Sequence, residues 1–453
     1  MNHKSIFTIK NLFFVSVVFF NASIIHAGTL LYQQNFTYQG AFRVPIGPLG
    51  GDSKEWSFGL GGQGVTYNPA RNSLVLLGTN SENYVIEISI PTPVNSTDIN
   101  ALNVATTVQT PKNITGGTWN WLNPGPSFVA NGGMPGGFLV YNGKLIGSAY
   151  PYYDEGLSLQ LSHFTANLNW TTEGSGFSGF KRVGLNPLNP SNSSAGWVGG
   201  YMCLIPSEWQ SRLGYPALTG QGAIPVIGRS SQGPSLLGFD PDQIGTQTPA
   251  PATIFAGYPS THQTLGTYDT GSLYYNMSTG LAGAVFPSGS DSVLVFGNHG
   301  LTMDGQGTAG CYGYGTSNIN LHGTTKEGSD LWCYDPTDSN KGGHGYPYVS
   351  QVWAYNANDL LAVKNGTKQY WEVVPYARWT LTLPFTNETS SSTGKKLLGG
   401  AAYDPSTQRI FVTQLHADHW ADSYEPNPIV HVYSLNLTPI TTPTPAPNLI
   451  NIK

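Results

Sequence analysis

The stretch Gly64-Val65-Thr66-Tyr67-Asn68-Pro69, followed by Leu74-Val75-Leu76-Leu77, returns near the far end of the chain as Gly400-Ala401-Ala402-Tyr403-Asp404-Pro405, followed by Ile410-Phe411-Val412. Each copy reads as strand, turn, strand. Proline fixes φ, an Asn or Asp before it accepts local backbone hydrogen bonds, and the aliphatic run beyond is β-prone. A unit of this kind cannot bury its own face and needs neighbours. Its return several hundred residues later therefore predicts radial repetition.

A second phrase follows the first in each unit: an aromatic or aliphatic strand with a polar stop. It occurs at Tyr84 to Pro91, Leu159 to Phe164, Ser235 to Pro241, Gln351 to Asn356 and Ile429 to Leu435. The matching opening strands are expected near Gly64, Gly137, Gly199, Gly283 and Gly400, and the last interval is long enough to demand a large insertion. Five copies predict an all-β, single five-bladed β-propeller over residues 28–437; six blades follow if the region 283–437 holds a further unit. Gln39-Gly40-Ala41-Phe42-Arg43-Val44-Pro45 precedes the first full unit and is expected to pair with the last one, closing the ring and removing exposed edges. Trp371 to Val374 and Trp379 to Pro384 are expected as outer strands.

Composition agrees with this class. Gly 56, Pro 32 and Tyr 25 supply turns and β-formers, whereas charged residues are only 10%, too few to surface many amphipathic helices. The net charge of −5 and the lack of a Lys/Arg cluster argue against a nucleic-acid surface, which needs concentrated positive charge. There is no G-x-S-x-G elbow, phosphate loop or dinucleotide fingerprint.

Residues 1–27 read as a signal peptide: Lys4 and Lys10 flank a short basic region, Leu12 to Phe20 is apolar, and cleavage is expected after Ala27. No other segment is long and apolar enough to span a bilayer as a helix, so a secreted, periplasmic or cell-surface location is expected. Residues 438–453 form a Pro/Thr-rich tail, expected to stay unpacked.

In an exported protein Cys311 and Cys333 are expected to form a disulfide that closes a loop of about 22 residues, while Cys203 sits in an apolar strand as a buried thiol. That disulfide would staple the long loop insertion between Gly297 and Tyr348. Within it Trp332, Tyr334, His344, Tyr346 and Tyr348, with Trp420 from a later loop, form a candidate ligand-binding set, because aromatic faces stack on sugar rings. Asp335-Pro336-Thr337-Asp338-Ser339-Asn340 has the alternating oxygens that suit calcium but lacks the glycine and distal glutamate of an EF-hand; an Asx-turn explains it equally. His416, Asp418 and His419 are a candidate zinc set or a source of a general base. A catalytic constellation of Asp154, Asp269, His299 and His416 is expected if loops from different blades converge at the funnel.

Through Gln39 to Pro45, Gly64 to Pro69, Gln351 to Asn356 and Gly400 to Pro405, the chain resembles secreted bacterial β-propeller proteins of uncharacterised function. The resemblance spans most of residues 38–437; it implies fold and export and transfers no catalytic residues. Likeness to five-bladed arabinanases and fructosidases is architectural, since their acidic motifs have no counterpart placed here. Two functions follow: binding of a glycan or another extracellular ligand, a protein included, at the loop-rich mouth, or hydrolysis or lysis of a polysaccharide by funnel acids and histidines.

Overall fold

The computed structural model describes residues 1, 28–47, 49, 57–79, 83–119, 121–122, 133–151, 159–191, 195–222, 231–259, 271–272, 274–303, 305, 307, 310–385, 397–419 and 425–440. The signal-peptide and tail readings lie outside these residues, apart from a few flanking positions. The described chain is all-β with short helices.

Strand β1 (Phe36–Arg43) comes first and is followed by a four-stranded sheet of β2 (Thr66–Asn68), β3 (Ser73–Leu77), β4 (Val85–Ser89) and β5 (Thr107–Lys112). A three-stranded sheet holds β6 (Gly133–Tyr141), β7 (Lys144–Pro151) and β8 (His163–Asn167). Helix α1 (Ala195–Val198) leads into β9 (Met202–Leu204), and α2 (Ser207–Leu213) separates it from β10 (Ala217–Thr219), β11 (Leu236–Phe239) and β12 (Ala252–Ala256). The fourth sheet opens with β13 (Gly280–Val285) and β14 (Ser292–Gly300). It is interrupted by an insert carrying β15 (Cys311–Thr316), β16 (Thr325–Glu327), β17 (Asp330–Tyr334) and β18 (Lys341–His344). The fourth sheet then resumes with β19 (Tyr348–Asn356), α3 (Ala357–Lys364) and β20 (Ala377–Thr380). The fifth holds β21 (Leu398–Asp404), β22 (Arg409–Asp418) and β23 (Asn427–Leu435), with β1 added antiparallel to β23, Phe42 opposite Val430.

The five Gly entries and the five aromatic strands expected from sequence all fall where a first and a third strand occur. The reason is burial on both faces. In β14, Val293 and Val295 pack in the layer between the third and fourth sheets, while Leu294 and Phe296 pack between the fourth and fifth. Likewise Val75 and Leu77 face the second sheet, and Leu74 and Leu76 face the fifth. A fifth layer joins Leu139 and Ile146 to Met202 and Phe239. Strands buried on both faces read as continuous apolar runs, which is why Leu74 to Leu77 stands out. Each such side chain contributes about 1.5–3 kcal/mol of burial.

Glycine lets the first strands approach one another. A Cβ on Gly136 would lie 1.9 Å from the Gly199 carbonyl oxygen, and backbone bonds run from Gly64 N to Gly399 O (3.0 Å) and from Gly137 N to Gly200 O (2.6 Å). First strands touch in the order β2–β6–β9–β13–β21, and β21 touches β2. The two Asx-Pro turns form as read: Asn68 Oδ1 accepts from Ala70 N at 3.1 Å, and Asp404 Oδ1 from Ser406 N at 2.9 Å.

Two readings need correction. Trp371 is not in an outer strand but in a 3-10 turn, Tyr370–Glu372, where the Glu372 carboxylate accepts from Gln369 N; the outer strand is Ala377–Thr380. The insertion is not a bare loop. It is residues 301–347, since Gly297 to Gly300 and Tyr348 still belong to β14 and β19, and it builds its own sheet in the order β16-β17-β15-β18 with β15 parallel to β17.

Candidate functional site

In an antiparallel sheet, connections from first to second strand and from second to third leave by opposite ends. The short Asx-Pro turns therefore mark one face, and the insert, entering between β14 and β19, marks the other together with the β22–β23 connection that follows His416. We refer to these as the turn face and the loop face.

The insert is held at its base by Leu301 N to Pro347 O (2.7 Å) and Thr302 N to Gly345 O (2.9 Å), and Asn276 Nδ2 donates to both the Gly300 and Gly307 carbonyls at 2.8 Å. The Cys311–Cys333 disulfide forms as expected, joining β15 to β17. Beside it lies a cavity of about 200 Å³ lined by Thr302, Met303, His322, Tyr334, His344 and Tyr346, together with Cys311 and Gly345. Three of the predicted binding residues thus meet: Tyr334, His344 and Tyr346, with Tyr334 and Tyr346 edge to face, centroids 5.7 Å apart.

Their roles differ. Each ring nitrogen of His344 faces an acceptor of the insert itself, Asp335 Oδ2 and the Asn340 carbonyl, both at 3.0 Å, so it braces the wall. Tyr348 donates to the same Asp335 oxygen at 2.5 Å, and Thr337 donates to its partner oxygen. Burial works against the Asp335 carboxylate, yet the bonds from His344, Thr337 and Tyr348 hold it below the ordinary carboxylate range. Asp338 closes a second Asx-turn on Asn340 N at 3.0 Å. The oxygens that read as a calcium loop are thus bound to the insert's own donors. Trp332 is not among the residues lining the cavity; the Lys326 ammonium sits 3.2 Å from the Tyr314 centroid and 5.2 Å from that of Trp332. Trp420 lies outside the described residues.

His322 was not singled out from sequence. Its Nδ1 accepts from Tyr334 N at 3.0 Å, which places the proton of the neutral ring on Nε2 and leaves a donor on a residue that lines the cavity. Burial pushes its pKa below the usual histidine value. The only sequence signal was a histidine inside the insert.

The proposed catalytic and metal residues are more scattered. Asp154 and Asp269 lie outside the described residues. His299, in β14, is fully buried and held neutral at about 3 by burial, with Arg378 nearby; its Nδ1 meets Thr279 Oγ1 at 3.0 Å. His416 occupies a bulge of β22 between Gln414 and Asp418, at a left-handed φ of 55°, and burial, then the neighbouring His419, lowers its pKa. Asp418, expected beside it as a ligand, accepts two bonds from Arg43 instead, at 2.7 and 3.0 Å, with both side chains nearly or wholly buried. Among the described residues no three His, Cys, Asp or Glu side chains are grouped to hold a metal ion.

On the turn face a second cavity of about 330 Å³ lies among the first strands of all five sheets, with Val65, Leu139, Met202, Ala284 and Ala401 in its wall. It also takes in Cys203, a free thiol that burial pushes up to about 12. Nothing in the sequence marked it, because residues facing this space read like any other strand residue.

No protein-family model and no curated protein sequence matches the chain. Solved structures similar to it include a glycosyl hydrolase from Bacteroides ovatus (11% identity, 94% of this chain and 100% of that one, TM-score 0.39). An exo-1,5-alpha-L-arabinanase from a bovine ruminal metagenomic library (11%, 84% and 99%, TM-score 0.35) is another. So is a PQQ-bound aldose sugar dehydrogenase from Streptomyces coelicolor (11%, 88% and 98%, TM-score 0.36). At such scores the likeness assigns no activity, and the reading below rests on the site.

Proposed function

We propose that the chain is an exported, closed five-bladed β-propeller that binds glycan through the tyrosine-lined cavity of its insert. The observation that carries this reading is the meeting of Tyr334, Tyr346 and His322 around a space of about 200 Å³. Two aromatic walls suit the apolar face of a sugar ring, and a neutral imidazole with one free donor suits a hydroxyl. Closure is supported by the five apolar layers, the contact of β21 with β2, and the pairing of β1 with β23. Export is supported by the disulfide, and among the described residues no helix is long and apolar enough to cross a membrane.

Binding is favoured over hydrolysis because the described acids around the insert already have partners: Asp335 with His344 and Tyr348, Asp330 with Lys341 at 2.7 Å, Asp418 with Arg43. One observation favours a hydrolase or lyase, the strained bulge that presents His416. A glycan array decides between them. Retention of a defined glycan, weakened in both Tyr334→Ala and Tyr346→Ala and without release of reducing or unsaturated ends, is expected; release of ends that vanishes in His416→Ala would replace binding by catalysis.

A further inference from the structure

The turn-face cavity has a chemistry unlike that of the insert. Its wall is built by the first strands of all five sheets, and no charged residue lines it. Its few polar side chains already have partners. Thr66 Oγ1 takes the Val140 N–H at 3.4 Å, Tyr67 OH donates to Asn72 at 3.1 Å, Tyr403 OH meets Ser288 Oγ at 3.4 Å, and Gln210 Nε2 donates to Ile205 O at 2.8 Å. What remains inside is apolar surface, the Phe286 ring included, and the Cys203 thiol, a weak hydrogen-bonder. A water needs two to four polar partners to be held in a cavity, so a space walled this way favours apolar contents. The mouth opens to solvent between Pro69, Pro405, Ser207 and Leu204, the last an aliphatic side chain left 46% exposed at the rim.

We infer that this axial cavity is a second binding site, taking a compact, uncharged small molecule of aromatic or alicyclic character. Its size and its mostly apolar wall are those of small-molecule sites generally. The absence of any lining charge excludes carboxylates, phosphates and protonated alkylamines as favoured ligands, since a buried unpaired charge is costly. The site lies on the face opposite the insert and does not depend on glycan binding.

The test is titration of the full chain with N-phenyl-1-naphthylamine, read by its fluorescence. The expected result is a saturable, blue-shifted signal at one probe per chain that 1-adamantanol displaces. Ala402→Leu, which fills the space, and Ser207→Trp, which covers the rim from an exposed position, should each weaken uptake at least tenfold. Tyr334→Ala should leave it unchanged. If Ala402→Leu does not fold, Ser207→Trp alone decides. Failure of the wild-type chain to take up the probe, or equal uptake by Ser207→Trp, would overturn the inference. So would uptake that occurs only when the chain is shortened to residue 440, which would assign the cavity to the chain's own end.

Discussion

The five sheets and the insert are stabilised in different ways. In β3, β14 and β22 nearly every side chain is buried, and successive residues serve two apolar layers. In β15, β16 and β17 most residues are only half-buried or exposed, and the buried anchors are Cys333, Asp335 and His344. The body is held by area removed from water, the insert by one covalent bond and one hydrogen-bonded carboxylate. The insert should therefore open without unfolding the body, which suits a region that must offer its aromatic rings to a ligand.

The largest expected effect is on the body. Arg43→Ala strands the buried Asp418 carboxylate where β1 joins the fifth sheet, and should cost about 3–5 kcal/mol in denaturant unfolding. If the loss is under about 1 kcal/mol, the pair is not the seam described. Next comes the insert. Cys311→Ser removes a cross-link worth about 3 kcal/mol in the chain-entropy model; amides of β15 and β17 should lose hydrogen-exchange protection while those of β14 and β22 keep theirs.

How much of this the sequence reveals follows the same division. Gly64, Gly137, Gly283 and Gly400 were readable as strand entries because contact between neighbouring first strands leaves no room for a side chain, and Gly199 because the Ala149 carbonyl of β7 lies 2.2 Å from where its Cβ would be. The runs at 74–77 and 410–412 were readable because both faces are buried. The insert was readable only as a disulfide and a list of aromatics. Gly313 and Gly315 disguise β15, since Leu331 O and Asp338 O lie where their Cβ atoms would be, and a parallel pairing of β15 with β17 leaves no local signature. Tyr334, His344 and Tyr346 could be named but not assembled. His322 becomes visible only once Tyr334 N is seen donating to it, and the axial cavity only once five strands are arranged around it.

Smaller effects sharpen the contrast. Tyr334→Ala should weaken glycan binding about tenfold, or about 1.4 kcal/mol, by calorimetry, with the body's melting temperature unchanged. A matching loss of thermal stability would make Tyr334 a packing residue. The smallest effect concerns pH. A histidine whose folded pKa is depressed contributes stability that is complete above its unfolded value of about 6.5 and declines as pH falls through the folded one. Protonation of His322 also displaces the bond from Tyr334 N. Glycan affinity should thus fall modestly as pH drops below the ordinary histidine value of about 6.5 and become flat in His322→Gln.

The most direct measurement is glycan affinity before and after reduction of Cys311–Cys333, with the melting of the body followed in the same samples. Loss of binding on reduction, its return on reoxidation and an unchanged body transition are the predicted results. Full binding by the reduced protein, with hydrogen exchange showing the insert open, would contradict a site built in the insert.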